Sequence, residues 1–491
     1  MDARSEQSGS PVLGHEEIRS VLTGVMLAMF LSALDQTIVA TALPTIGVQF
    51  SDLESLSWVV TAYLLTGTAV TPLIGKLADI HGPRPVLMAS IALFLVGSVL
   101  CAVAQNMLWL IVARGVQGLG GGGLIALAQT IIGIMVAPRE RGRYQGYFAT
   151  VFITSSIAGP VLGGFFAEHL HWSLIFWINV PLGFIAAAMS FRALTKLPAH
   201  HHPHRLDVVG ALLMCAATIA MMLALSWGGV RFAWVSLPIL ALLAGSVVLW
   251  VGFGLRLVST TEPLLPLAVL SNRVVRTGVV SAAFAMGTLV GLSIEMPLYL
   301  EGVLGFSASQ SGLALIPLMA GVVVGATGSG KLMGRLTHYK RIPLVGLTMG
   351  IVSLAVLALM PAGLPVAVLG GVLALTGIGL GTVLPVATVS VQNAVPMPQL
   401  GTVTGVINFF RSLGSAVLTA GFGAIVIGMS GLDGHEILER MLDGQATTGP
   451  LADAFRWVFI AAAGALVLSL AAMIAMEERP LRSSTPPPLS E

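Results

Sequence analysis

The sequence predicts an all-α membrane protein, with fourteen transmembrane helices forming two pseudo-symmetric six-helix bundles plus an inserted helix pair. Three observations lead there. Hydrophobic residues make up 56% of the 491 residues and charged residues 9%, against roughly 25% charged in soluble domains, and the mean hydropathy is +0.92. Apolar runs of about twenty residues, the length of a bilayer-spanning helix, recur along the whole chain. A glycine pattern beginning at Gly118 returns at Gly377, as a duplicated bundle would require.

Residues 1–20 are polar and lack a basic leader or a small-residue cleavage site, so the first apolar run is expected to be a retained helix rather than a signal peptide. Windowed hydropathy places spans near 21–43, 57–76, 85–104, 107–133, 143–166 and 173–195. These form an N-terminal bundle, 21–195, followed by a linker, 196–206. An inserted pair occupies 207–256, with spans near 207–227 and 234–256. The second bundle, 257–476, holds spans near 276–300, 310–333, 342–360, 365–391, 401–428 and 454–475, before a tail, 477–491. The runs are twice the length of a barrel strand and do not alternate, which argues against a β-barrel. The widest gap, 429–453, is too short for a folded domain of about 50 residues, so no nucleotide-hydrolysing domain is expected within the chain.

Basic residues set the orientation. Lys76, Arg84, Arg139, Arg141, Arg143, Arg192, Lys331, Arg335, Lys340 and Arg479 all fall on one side of this layout. Assigning that side to the cytoplasm puts both termini there, in an inner (plasma) membrane. The net charge of +2 comes from scattered loop residues and indicates no nucleic-acid partner.

Several local patterns are set aside. Gly325–Lys331 resembles a phosphate-binding loop, but Leu332 stands where Ser or Thr is needed and the run ends an apolar helix. Gly118, Gly120 and Gly123 match a dinucleotide fingerprint without the surrounding βαβ unit, and close helix packing explains them better. No nucleotide or other cofactor is implied. Cys101 and Cys215 sit in apolar runs and have no metal-ligand spacing. His200, His201, His202 and His204 form one cluster, for which a solvated loop is preferred over a metal site.

Ionisable residues inside spans carry the functional signal, because a charge in hydrocarbon costs about 3 kcal/mol or more and normally faces a partner or water. Asp35 in the first span and Arg114 in the fourth lie at matching depths, which permits an ion pair. Gly118, Gly120, Gly122, Gly142 and Gly146 map onto Gly377, Gly379, Gly381, Gly401 and Gly405 at an offset of 259 residues. Applied to Glu295, this offset lands beside Asp35, so the two carboxylates are expected to face one cavity at similar depth. Leu373 stands where a second Arg114 would be, so Glu295 is expected to lack a partner and to exchange a proton. Arg411, near mid-depth in the thirteenth span, could bind an anion, neutralise a carboxylate or bond to carbonyls; the sequence leaves these open.

Four motifs in order resemble the major facilitator superfamily, in its fourteen-span drug:proton antiporter branch. Leu34–Pro44 (LDQTIVATALP) is similar to that branch's first-helix signature. Gly75–Arg84 (GKLADIHGPR) resembles the superfamily's loop motif, carried by Gly75, Asp79, Gly82 and Arg84, although Ile80 and Pro83 replace usual basic positions. Arg114–Gly120 (RGVQGLG) resembles the fourth-span motif that the family links to proton transfer. Ser155–Gly164 (SSIAGPVLGG) resembles the antiporter helix motif through Gly159, Pro160, Gly163 and Gly164, with Ser155 replacing its first glycine. Those glycines are expected to allow tight contact between the halves, and Asp79 is expected on the loop beside Arg84.

The resemblance implies a transporter rather than an enzyme. It implies export of lipophilic or amphipathic, preferentially cationic, compounds in exchange for protons, with the proton gradient as driving force and lipids as surroundings. An exporter of an endogenous metabolite, siderophore or lipid-like molecule is the alternative, and a non-transporting receptor is the reading from another class. The inserted pair is expected at the periphery.

Overall fold

The computed structural model describes residues 15–52, 54–195, 206–431 and 448–482. The histidine cluster at 200–204, residues 1–14, most of the 196–206 linker and the end of the tail lie outside the described residues. Among the described residues, fourteen helices are long and apolar enough to cross a membrane. In the N-terminal half they are α1 (Ser20–Phe50), α2 (Leu56–His81), α3 (Pro83–Ala102), α4 (Met107–Met135), α5 (Pro138–His169) and α6 (Leu174–Arg192). The inserted pair is α7 (Val208–Trp227) and α8 (Leu237–Ser259). The second half comprises α9 (Arg273–Gly302), α10 (Ser309–Met333), α11 (Arg341–Leu359), α12 (Val366–Asn393), α13 (Met397–Ser430) and α14 (Gly449–Ala475).

Helix ends follow the local chemistry. Asn106 accepts from the Trp109 amide at 2.8 Å and Asp207 from that of Gly210 at 3.0 Å, satisfying N–H groups that have no partner within the helix. Ser307 and Gln310 form a capping box at the start of α10. Gly82, at φ 84°, separates α2 from α3, whose first residue is Pro83. Several helices outrun the apolar windows, among them α1, α2 and α5. α1 continues to Phe50 past Pro44, α2 reaches His81, and α5 starts at Pro138 and carries Arg139, Arg141 and Arg143. Hydropathy senses only the hydrocarbon-embedded part of a helix, and in α2 and α5 charged turns continue it into water.

The duplication is visible in the packing. α4 rests on α2 where Gly118 meets Tyr63 and Gly122 meets Gly67, and on α3 where Gly120 meets Phe94. α12 repeats this on α10, with Gly377 over Leu318 and Gly381 over Val322, and on α11, with Gly379 over Gly346. At each of these sites a Cβ would collide with the neighbouring helix, and glycine permits the close approach. The inserted pair lies against α2 and α13. Trp58 and Trp227 meet edge to face at 5.4 Å, Cys215 Sγ donates to the Ala69 carbonyl, and Trp250 lies 6.1 Å from Phe409.

We call the side carrying the α2–α3 turn the loop-motif face. Beyond α14 the chain crosses this face as an extended strap. Lys340 Nζ donates to the carbonyls of Ile474 and Met476, and the Lys340 amide to Glu478. Tyr339 donates to the Arg479 carbonyl at 2.8 Å and Asn393 to that of Pro480 at 3.1 Å. The strap then reaches the other half, where the Arg139 amide donates to the Arg482 carbonyl.

Candidate transport site and gate

The two halves meet along two crossings. In one, α2 packs on α13: Gly75 lies against Gly401 and Gly405, and Thr71 and Pro72 against Gly405. In the other, α5 packs on α10: a Cβ on Gly142 would come within 2.6 Å of the Gly330 carbonyl, and Gly146 lies against Thr327. The crossings are pseudo-equivalent, since Gly75 corresponds to Gly330 and Gly401 to Gly142. They differ in charge. Asp79, in the last turns of α2, accepts from the amides of Gly401 at 2.7 Å and Thr402 at 2.6 Å. Those N–H groups open α13, where the helix dipole favours an anion. In the second crossing Gly334 takes the place of Asp79, and its carbonyl accepts from Arg139 Nε at 2.9 Å.

A polar layer lies deeper. Gln392 donates to the Gln129 carbonyl and to Thr404, and Asn408 donates to Gln129 Oε1 at 2.8 Å. These contacts close the halves together on the loop-motif face.

Inside the N-terminal half, Asp35 and Arg114 form an ion pair at 2.5 Å, with both side chains at most 1% exposed. Asp35 also accepts from Gln117 at 2.8 Å and Asn179 at 3.0 Å. Ser98 accepts from Gln117. Arg114 donates to the Val59 carbonyl and to Gln117 Oε1, and its guanidinium lies 4.3 Å from the centre of the Tyr63 ring. A buried charge is tolerable only when paired and fully hydrogen-bonded, and here α1, α2, α3, α4 and α6 all contribute. Gln117, Asn179, Ser98 and Tyr63 were not singled out from sequence. Gln117 was the most legible of them, lying one helical turn beyond Arg114 in the same motif.

In the second half, Arg411 is 8% exposed. Its Nη2 donates to the Leu384 carbonyl at 3.1 Å and to Thr388 Oγ1 at 2.6 Å, while its buried Nε has no partner. Of the three roles left open, bonding to a carbonyl is the one observed. Glu295 is half-buried on α9 and lies over Gly423 of α13.

Three expectations need correction. Asp35 and Glu295 do not face one cavity at similar depth. Asp35 is drawn wholly into its own half by three donors, and the packing equivalences of α1 and α9 follow a different offset. Thr37 donates to the carbonyl of Ser155, while Gly287 meets that of Gly414, the residue equivalent to Ser155. Thr41 likewise meets Gly163 where Gly291 meets Phe422. These pairs are 250 residues apart, so Asp35 corresponds to Ala285, and Glu295 lies ten residues nearer the opposite face, roughly 15 Å.

The antiporter-motif glycines do not pack between halves. Gly159 and Gly163 lie against Thr37, Ile38 and Thr41 of α1, within the N-terminal half, and Gly164 faces open space. Pro160 is exposed inside α5. The inter-half contact of α5 comes instead from Gly142 and Gly146. Asp79, finally, is in a helix and bonds to α13, while Arg84 lies over the Phe191 ring at 4.4 Å.

A family model described as Major Facilitator Superfamily matches residues 25–419. An uncharacterised transporter of the major facilitator type from Mycobacterium tuberculosis is 35% identical over 90% of the chain, which spans only 63% of that relative's length. The multidrug transporter protein MdtP of Bacillus subtilis is 34% identical over 85% of the chain and 77% of its own length. Among solved structures, a bacterial homologue of the iron transporter ferroportin, in an outward-facing state, superposes with a TM-score of 0.64. It covers 95% of this chain and 100% of its own at 13% identity, a likeness of fold alone.

Proposed function

Because the chain belongs to the major facilitator superfamily, whose members are transporters and not enzymes, we propose that it is a proton-coupled exporter. Its substrates are lipophilic and amphipathic compounds, moved across the inner membrane by alternating access. The loop-motif face is cytoplasmic in this proposal, as its basic loops favour, and the conformation described is therefore the one closed to the cytoplasm. The name of the Bacillus relative supports drug-like substrates.

The observation that carries proton coupling is the buried Asp35–Arg114 network. Protonating Asp35 would leave Arg114 desolvated and without a counter-ion, a change large enough to bias helix packing in the half that must rock. Glu295 is a second proton-exchanging group nearer the opposite face. The cationic preference was what the resemblance implied, with Asp35 and Glu295 exchanging between proton and substrate. With Asp35 fully engaged, the proposal keeps lipophilic and amphipathic substrates and drops that preference.

The test uses proteoliposomes with an imposed pH gradient. Substrate should drive proton movement, and Asp35→Asn should uncouple the two. Export that ignores the gradient would reject proton coupling, and no flux of any compound would favour a non-transporting role.

A further inference from the structure

We infer that Arg411 is the subsite for an acidic group, so that the transported compounds include amphipathic acids with a carboxylate or sulfonate on an apolar body. This deepens the export reading above and rests on it. Among the described residues no carboxylate lies within ion-pair distance of Arg411, in contrast to Arg114, whose charge is met by Asp35. Both hydrogen bonds that the Arg411 guanidinium makes among the described residues come from Nη2, and its buried Nε has no partner among them. An uncompensated guanidinium at this depth is costly, and the fold does not demand it. The equivalent residue on α5, 259 positions earlier, is Phe152. A cation kept where the duplicated frame accepts a phenyl ring points to a ligand that supplies the missing charge.

The position suits that role. Asn408, one turn below on the same helix, bonds to Gln129 of the other half. Gln392, one turn below Thr388 on α12, bonds to the same residue. Arg411 and Thr388 thus stand directly above the layer that joins the halves. Ser412, beside Arg411, is exposed, and Ser415 is half-buried, while Thr419 two turns further along α13 has a buried hydroxyl without a partner. These groups lead from Arg411 toward the opposite face. Arg411 is fourteen residues into α13, about 20 Å from its start, so lipid headgroups on the loop-motif face do not reach it. A fixed guanidinium with free donors selects acids by charge-assisted hydrogen bonds.

The test compares two fluorescent probes on the full chain in phosphatidylcholine nanodiscs, with empty nanodiscs as baseline. One is 8-anilinonaphthalene-1-sulfonate, the other N-phenyl-1-naphthylamine, the same body without the acid. The unmodified protein should bind the sulfonate at least tenfold more tightly than the amine. Arg411→Gln should weaken the sulfonate roughly 10- to 100-fold, the scale of a lost charged hydrogen bond, and leave the amine within about twofold; Arg411→Lys should fall between. No preference in the unmodified protein, or equal loss of both probes in Arg411→Gln, would overturn the subsite. Proteoliposome flux of both probes tests export separately, because absence of flux for both would reject the exporter without touching the anion preference seen in binding.

Discussion

Replacing Asp79 with Asn should open the seam on the loop-motif face. The carboxylate accepts two backbone N–H groups at 2.6–2.7 Å where α13 begins. Asn keeps one acceptor oxygen but loses the charge and one of the two bonds. A charge-assisted hydrogen bond contributes about 1.5–3 kcal/mol, and interaction with a helix N-terminus adds about 0.3–1 kcal/mol. The interaction exists only while α2 and α13 are together, so its loss falls on the balance between conformations rather than on folding. A change of about 2–3 kcal/mol shifts that balance on the order of 30- to 150-fold. Nitroxide labels at His81 and Thr337, which are exposed and belong to opposite halves, report it by pulsed electron–electron resonance in a background lacking Cys101 and Cys215. The unmodified protein should show a short distance and Asp79→Asn a population at longer distance, with transport impaired and membrane yield retained. An unchanged distance distribution together with normal turnover would refute the latch.

The other expectations use the same assays. Asp35→Asn should lower thermal stability by roughly 3–5 kcal/mol, since it leaves Arg114 buried without its counter-ion; Asp35→Asn with Arg114→Gln should recover stability without recovering proton coupling, and a stable single variant would contradict this. Gly142→Ala should separate α5 from α10, because the new Cβ would lie 2.6 Å from the Gly330 carbonyl; normal transport with an unaltered His81–Thr337 distance would count against the crossing. Ending the chain at Glu477 removes the bonds made by Glu478, Arg479, Pro480 and Arg482, of which the last, to the Arg139 amide, joins the halves; at about 1 kcal/mol, its loss should add to the Asp79→Asn shift, and no effect on the distance would show the strap to be passive. Glu295→Gln should change the pH–rate profile while leaving thermal stability within about 0.5 kcal/mol, and an unaltered profile would remove Glu295 from the proton path.

Most of the fold was legible because a bilayer imposes it. Each span must satisfy its own backbone hydrogen bonds and stay apolar for about twenty residues, so a hydropathy window finds its centre. It misses the ends, where α5 begins with three arginines within six residues. The Asp35–Arg114 pair was legible for the same reason, since two opposite charges at equal depth have few alternatives to each other. Gln117 and Asn179 were not, because a neutral amide carries no such penalty to draw notice. Nor could the sequence say which neighbour each glycine serves. Gly159 and Gly163 allow close approach in either setting, and only the packing shows that α1, not the other half, takes that space.

The two-carboxylate cavity failed for a reason that bears on any duplicated membrane protein. An offset read from one stretch of a repeat holds only until the next loop of unequal length. Here the packing gives 259 between α5 and α13, where Gly142 and Gly401 play the same part. It gives 255 between α2 and α10, where Tyr63 and Leu318 each lie under a glycine of the next long helix. Between α1 and α9 it gives 250. A nine-residue error on a helix is about 13 Å of depth and two and a half turns of rotation, enough to set Glu295 beside Asp35 on paper while Ala285 holds that place in the fold. Arg411 escapes the error because α13 lies in the stretch where the offset was read, so its pairing with Phe152 stands. The dependable asymmetry between the halves is therefore a neutralised acid–base pair enclosed in one and an unneutralised guanidinium above the seam in the other. In the proposed exporter, that arrangement puts the Asp35 proton site and the acidic subsite at Arg411 in different bundles, so that their rocking motion, rather than direct competition for one carboxylate, would link the two.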